Sequence, residues 1–313
     1  MSSSLSSIVP PLVIGLGEIL WDVFPDGRRF GGAPANFACC AARLGANSVT
    51  AGMVSAVGRD DPGRQALQRL TERGVNIEGV VQTEDPTGRV DVSLDESAVA
   101  TYTFAPNTAW DALLWNPTLA ELARRTRAVS FGTLCQRSEL SRQTITRFLK
   151  STHEDCIRIL DVNLRPPYWS EQMILQSLEL ASVLKCNDEE LPVLGSLLEC
   201  SGNETEVLRT LMSHWKLRLA VLTRGRAGSI IIDSAGQVSE RPAESASVVD
   251  TVGAGDAFGA AVAIGMLNQV PLPQLHEWAG QVASFVCSES GATPSIPASL
   301  TFANQYPATD TGR

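Results

Sequence analysis

Histidine is scarce in this chain, with 3 in 313 residues, and no two of its 7 cysteines stand in C-x-x-C spacing. A zinc site therefore has little to build on, and an odd cysteine count does not suggest a disulfide framework. Cys39, Cys40, Cys135, Cys156, Cys186, Cys200 and Cys287 read as reduced, mostly buried thiols of a cytosolic protein. Basic residues are also short. The formal net charge of -9 repels a nucleic-acid backbone and argues against nucleic-acid binding. The longest apolar run, around residues 258–267, is too short for a bilayer and contains Gly259 and Gly265, so no membrane role is expected. Residues 1–11 are rich in Ser and Pro but lack the basic and apolar regions of a signal peptide. The expectation is a disordered tail there, a short C-terminal tail over 307–313, and a cytoplasmic location.

Several ligand motifs are missing too. There is no G-x-x-x-x-G-K-[ST], which excludes a P-loop enzyme. Gly15-x-Gly17 follows an apolar run, but Leu20 stands where a dinucleotide fingerprint has its third glycine. Gly253-x-Gly255 fails in the same way, with Phe258 at that position. A nicotinamide oxidoreductase therefore has weak support. No G-x-S-x-G elbow points to a hydrolase.

What is present describes an α/β chain. Hydrophobic residues make up 44% of it, enough to bury one large domain, expected over 12–306. Short apolar runs at 12–16, 49–57, 128–131, 157–162, 183–185, 219–222 and 229–232 read as strands. Most are continuously apolar, as strands buried on both faces are. Helical patterns fall between them, at 36–44, 61–73, 139–150, 171–180 and 204–215. The one at 61–73 opens with Asp61 as the expected N-cap and Pro62 at N1, and Gly74 follows it. This alternation implies a doubly wound, mostly parallel sheet. Two segments break the rhythm. Residues 19–24 and 28–30 flank a Pro25-Asp26-Gly27 turn, and 88–94 and 99–104 alternate around Asp95-Glu96-Ser97. They are either two separate hairpins or a small β-sheet beside the main one.

The strongest chemical signal is Asp250-Thr-Val-Gly253-Ala254-Gly255-Asp256, followed at once by a helical pattern. Small residues before a helix let the backbone approach a ligand, and the free N–H groups of the first turn favour an anion. Asp256 inside such a cradle would repel phosphate. It makes sense if it faces an acceptor hydroxyl and takes its proton during phosphoryl transfer. The helix N-terminus is expected to keep it ionised. A Gly-rich turn with Asp at the helix start explains the same residues, and the segment alone leaves both open. Gly31-Gly32-Ala-Pro-Ala-Asn36 precedes another helix. Asn36 offers a donor and an acceptor, as a polyol requires, or it caps that helix.

These two segments, about 220 residues apart and in this order, resemble the two signatures of the ribokinase-like sugar kinases, the phosphofructokinase B family. Further matches are Gly17-Glu18 with Asp22, Asp161-Val-Asn163-Leu-Arg165, Asn187-Asp-Glu-Glu190 and Thr223-Arg-Gly225-Arg-Ala-Gly228. The resemblance covers the chain beyond its N-terminal tail. It implies that Asp256 is the catalytic base and that the amides of Gly253, Ala254 and Gly255 form an anion hole. It implies sugar contacts at Asp22, Gly31, Gly32 and Asn36, with Arg165 on the substrate side. Asn187 and Glu190 match the motif that organises Mg2+ and phosphate, Glu190 through water. Thr223, Gly225 and Gly228 belong to the ATP floor, with residues 281–284, including Ala283, and 289–292 at the adenine end. The irregular β segments fit a lid over the sugar. Such lids can pair between subunits, so a homodimer is an expectation. A K+ site near Asp250 and the 289–295 loop is another.

Within the family, residues 18–27, 30–36 and 161–169 look most like fructokinases, with ATP and fructose as substrates. A 2-keto-3-deoxygluconate kinase is the alternative, because Arg165 would pair with that acid's carboxylate. A ribose or nucleoside kinase is a further one. From a different class comes a catalytically silent relative that binds partners, since fold does not fix function. An intact Gly253–Asp256 segment with Asn187 and Glu190 speaks against it.

Overall fold

The computed structural model describes residues 9–94, 100–244 and 247–307. Residues 1–8 of the tail expected over 1–11, residues 308–313 of the tail expected over 307–313, and the Asp95-Glu96-Ser97 turn lie outside the described residues.

The main sheet has nine strands. Seven are parallel: β1 (Leu12–Leu16), β4 (Thr50–Gly58), β5 (Asn76–Thr83), β8 (Thr126–Phe131), β9 (Ile157–Asp161), β10 (Val183–Asn187) and β11 (Leu219–Thr223). β12 (Ser229–Asp233) and β13 (Val238–Arg241) add antiparallel at one edge. The order is β13-β12-β11-β10-β9-β8-β1-β4-β5. The chain runs from β1 outward to β4 and β5, then returns to β8 on the other side of β1. That places a topological switch point between β1 and β8, where doubly wound sheets open a crevice at the carboxyl ends of their strands.

A second sheet has four strands: β2 (Leu20–Phe24), β3 (Gly27–Gly31), β6 (Gly88–Leu94) and β7 (Ala100–Phe104), in the order β3-β2-β6-β7. The two irregular segments thus form one sheet, because β2 pairs with β6 in parallel across the gap between them.

Helices cover both faces of the large sheet. They are α1 (Ala33–Gly45), α2 (Asp61–Glu72), α3 (Pro117–Arg125), α4 (Glu139–Lys150), α5 (Glu171–Leu180), α6 (Leu191–Ser196), α7 (Glu204–Trp215), α8 (Ala254–Leu267), α9 (Leu272–Cys287) and the short α10 (Phe302–Gln305). Strand side chains alternate between two core layers. Val13 packs with Phe37 of α1, Phe258 of α8 and Trp278 of α9. Its neighbours Leu12 and Ile14 face the other way, toward Phe148, Leu178 and Leu211. Each large side chain removed from water in these layers contributes about 1.5–3 kcal/mol. α8 is buried almost all round, from Ala257 to Gly265, which explains its unbroken apolar sequence.

Two boundaries differ from the sequence expectation. The N-cap of α2 is Asp60, not Asp61, because the Asp60 side chain accepts the Gly63 N–H at 2.8 Å and its backbone is extended. α1 begins at Ala33 with Pro34 in its first turn, so Asn36 is a helical residue and not a cap. The strand β5 carries no buried apolar run, and a period-based reading passes over it.

Candidate active site

Two helix N-termini meet at the carboxyl end of the sheet. Asp256 sits in the first turn of α8 and Asn36 in that of α1. Asn36 Nδ2 donates to Asp256 Oδ2 at 2.9 Å. Packing of the apolar faces of α1 and α8 against each other brings these residues together across 220 positions of sequence. Asn36 is buried and its Oδ1 has no donor among the described residues. A ligand hydroxyl would satisfy it.

The start of α8 depends on glycine. Gly253, its N-cap, has φ 81°. A Cβ there would lie 2.3 Å from the Ala292 carbonyl oxygen. Only glycine suits both the left-handed backbone and that approach. The N–H groups of Gly253 and Gly255 have no partner among the described residues and are available to an anion, while that of Ala254 makes only one long bond, to the Thr251 carbonyl at 3.4 Å. Behind them stands Lys185. Its Nζ would be 3.2 Å from a Cβ on Gly255, and it donates to Asp161 Oδ2 at 2.8 Å. Lys185 and Asp161 are Cα partners in the parallel pairing of β10 with β9, and both side chains are largely buried.

These charges set the protonation of the site. Burial pushes the Asp256 carboxyl up to about 6, and Asp161 adds to the rise, while Lys185, the Asn36 hydrogen bond and Arg165 pull it down. The helix terminus alone therefore does not hold Asp256 at an ordinary carboxylate value, because loss of water outweighs it, yet at about 6 the group stays ionised at neutral pH. Burial works against the charge of Lys185, yet Asp161, Asp256 and Glu190 together hold it above its ordinary value. Burial also lifts Glu190, with Asp161 adding to it.

The residues expected to contact a sugar lie at the same mouth. Asp22 lies in β2 with Oδ2 only 2.6 Å from where a Cβ on Gly31 would be, so a side chain at 31 would displace it. Burial pushes its carboxyl up to about 6, against the pull of Arg165 and Arg29. Gly32, with φ 108°, passes over the Glu18 carbonyl, which a Cβ would approach to 2.5 Å. Arg165 follows β9 and is exposed, and its side chain has no hydrogen bond or ion pair among the described residues. Its charge nonetheless reaches Asp22, Glu18 and Asp256.

The residues expected on the nucleotide side lie along the neighbouring strand ends. Glu190 accepts the Leu164 N–H at 2.8 Å and the Asn187 N–H at 3.0 Å, one on each carboxylate oxygen. Asn187 Oδ1 accepts from the Glu190 N–H at 2.9 Å. Each Glu190 oxygen keeps a free lone pair in a fixed direction. That arrangement fits a magnesium ion held through its own water shell, the usual habit of this ion. Thr223 pairs with Asn187 across β10 and β11, one strand further from Asp256. Gly225, at φ 51°, has open space around it, whereas Gly228 is required by packing, its Cβ position lying 2.0 Å from the Arg241 carbonyl oxygen. Ala283 is half-buried on α9, in the core layer that α8 shares. Asp250 ties two loops, accepting the Val252 N–H and the Gly291 N–H at 3.0 Å each.

Two residues of this site had no role assigned from sequence. Lys185 is a charge inside an otherwise apolar buried strand, which is the signal that would have found it. Glu18, two residues beyond the end of β1, is 2% exposed with Oε2 unpartnered, and burial pushes its carboxyl up to about 7.

A family model described as pfkB family carbohydrate kinase matches residues 23–299. An uncharacterized sugar kinase of Pyrococcus horikoshii is 29% identical over 306 residues, covering 91% of this chain and 93% of that protein. Its crystal structure in complex with ATP superposes with a TM-score of 0.76 over 91% of this chain and 95% of that one. A fructokinase of Salmonella typhimurium is 30% identical over 256 residues, covering 78% of this chain and 80% of that protein. A Vibrio cholerae fructokinase, solved with fructose, ADP and calcium, shares the fold at a TM-score of 0.77 and 24% identity, over 93% and 97% of the two chains. With its two-sheet architecture and a family match over most of its length, this chain belongs to the pfkB family of carbohydrate kinases.

Proposed function

We propose that the protein transfers the γ-phosphoryl group of ATP to a primary hydroxyl of fructose, with Asp256 as the base. The observation that carries this is the convergence of Asp256, its Asn36 partner, the free N–H groups of Gly253 and Gly255 and the weakly engaged N–H of Ala254 at one helix start. A carboxyl raised to about 6 is ionised at neutral pH yet basic enough to accept a proton. As the fructose hydroxyl attacks, its proton passes to Asp256 and the anion hole takes the charge growing on the transferred group. Lys185, beneath Gly255, adds a fixed positive charge there. Asp22, Gly31, Gly32 and Asn36 hold the sugar, and Thr223, Gly225, Gly228 and Ala283 border the nucleotide. Asn187 and Glu190 would help to hold the magnesium that arrives with ATP, Glu190 through water, and the ion would supply charge neutralisation on the phosphates. Support for fructose comes from the several relatives named fructokinase and from the sugar bound in the Vibrio cholerae structure.

Arg165 favours a second substrate, 2-keto-3-deoxygluconate. Its guanidinium is uncommitted and its charge reaches the sugar side, so a carboxylate could engage it bidentately. A coupled ADP-release assay with Mg-ATP decides between the two, comparing fructose, 2-keto-3-deoxygluconate, ribose and no sugar. Preference for fructose, with Arg165→Ala changing its KM by less than about tenfold, supports the first reading. Preference for the keto-acid, lost in Arg165→Ala, replaces it. Turnover of none of a broad sugar panel sinks both. Potassium dependence in the same assay tests the cation expectation at Asp250. Sedimentation tests the dimer, for which the unpaired edges β3 and β7 of the small sheet offer a surface.

A further inference from the structure

A cavity of about 180 Å³ lies between α1, the end of α2 and the segment 293–296. Cys39 and Cys40 line it together with Arg43, Arg73, Thr293 and Ser295. The Arg43 side chain has no hydrogen bond or ion pair among the described residues, and that of Arg73 makes one long contact, donating to the Thr293 carbonyl at 3.4 Å. Both arginines line the cavity. Burial pushes the Cys39 thiol up to about 12, and the charges of Arg73 and Arg43 pull against that rise. Glu72 stands at the rim, exposed, with Oε1 engaged by Gln68 at 2.8 Å. Two arginines against one carboxylate leave the lining positive in a chain whose net charge is -9. Two planar donor forks and two hydroxyls suit a tetrahedral oxyanion.

The cavity wall is continuous with the start of α8. Thr293, which Arg73 holds, follows Ala292, whose carbonyl oxygen Gly253 packs against. Gly291 donates to Asp250, three residues before Gly253. Movement of 291–293 is therefore felt at the N–H groups that open α8.

We propose that this cavity is a second anion site, taking a phosphate group, and that its occupancy adjusts the anion hole through residues 291–293. The binding claim stands apart from the sugar assignment, and only the coupling rests on the kinase reading.

Calorimetry tests it on the full chain, with a non-hydrolysable Mg-ATP analogue saturating the nucleotide site and ionic strength held constant. Inorganic phosphate and glycerol 3-phosphate are titrated separately. Saturable binding is expected, weakened at least about tenfold in the double variant Arg43→Ala, Arg73→Ala. Tighter binding of the ester assigns the site to a phosphorylated metabolite, and equal or tighter binding of phosphate assigns it to the free ion. Should the double variant not fold, Arg43→Glu alone, at an exposed side chain, must weaken binding. In wild type the bound anion changes the KM for ATP at least about twofold, a change absent in the variant. No binding to wild type, or equal binding to both proteins, overturns the site. Binding without any change in ATP kinetics overturns the coupling.

Discussion

Replacing Asp256 by Asn should abolish most activity and yet stabilise the protein. The carboxyl is lifted from an ordinary 3.8 to about 6. A shift of about two units corresponds to about 3 kcal/mol by which the ionised form disfavours folding at neutral pH. Asp256 keeps part of its surface open to the site, and solvent screening reduces the expectation to about 1–2 kcal/mol. An amide removes the charge, while its carbonyl still accepts from Asn36 Nδ2. The sign follows from proton binding. A raised acid binds more protons folded than unfolded, so wild-type stability falls as pH climbs from 3.8 through about 6 and is fully penalised above that. Asp256→Asn escapes this penalty. Its advantage in urea denaturation should be full at pH 8, about half as large at pH 5, and absent below 3.8. Steady-state kinetics should show kcat lower by about 10²–10⁴. Wild-type kcat/KM should rise through about pH 6 and then level. A variant less stable than wild type at pH 8, or a gain that ignores pH, would refute the account of Asp256 as a carboxylate stripped of water.

Lys185→Met leaves the Asp161 carboxylate buried without its partner, so chemical denaturation should show a loss of about 3–5 kcal/mol. Activity should fall in the fraction that stays folded. Gly253→Ala places a Cβ 2.3 Å from the Ala292 carbonyl oxygen on a backbone at φ 81°; the strain costs about 1–2 kcal/mol, and kcat should drop about 10–10²-fold as the amides shift. Glu190→Gln exchanges one acceptor oxygen for an NH2 and leaves either the Leu164 or the Asn187 N–H without a partner. A loss of about 1–3 kcal/mol in stability is expected, with a raised KM for Mg-ATP and an unchanged KM for the sugar; the opposite split in KM would remove Glu190 from the nucleotide side.

The amino-acid sequence by itself determined the layered α/β plan. Strands such as Leu12–Leu16 and Val183–Asn187 are continuously apolar because helices cover both faces, and that is visible without coordinates. Helices α4, α5 and α7 end where their periodicity ends. Gly253 and Gly32 were legible because positive φ and close approach leave no other residue. Local signals gave way where a partner lay far along the chain. The sequence placed Asn36 near a ligand but could not show that it bonds Asp256, 220 residues away. Lys185 was passed over because its meaning depends on a parallel register that sets it opposite Asp161. The two irregular segments became one sheet only through the β2–β6 pairing. Protonation, too, belongs to tertiary structure: a helix start favours a charged Asp256, and only the depth of the assembled site and the nearness of Asp161 weaken that preference enough to lift the carboxyl to about 6. Periodicity and backbone conformation are properties of neighbouring residues, whereas field and burial are properties of the packed whole.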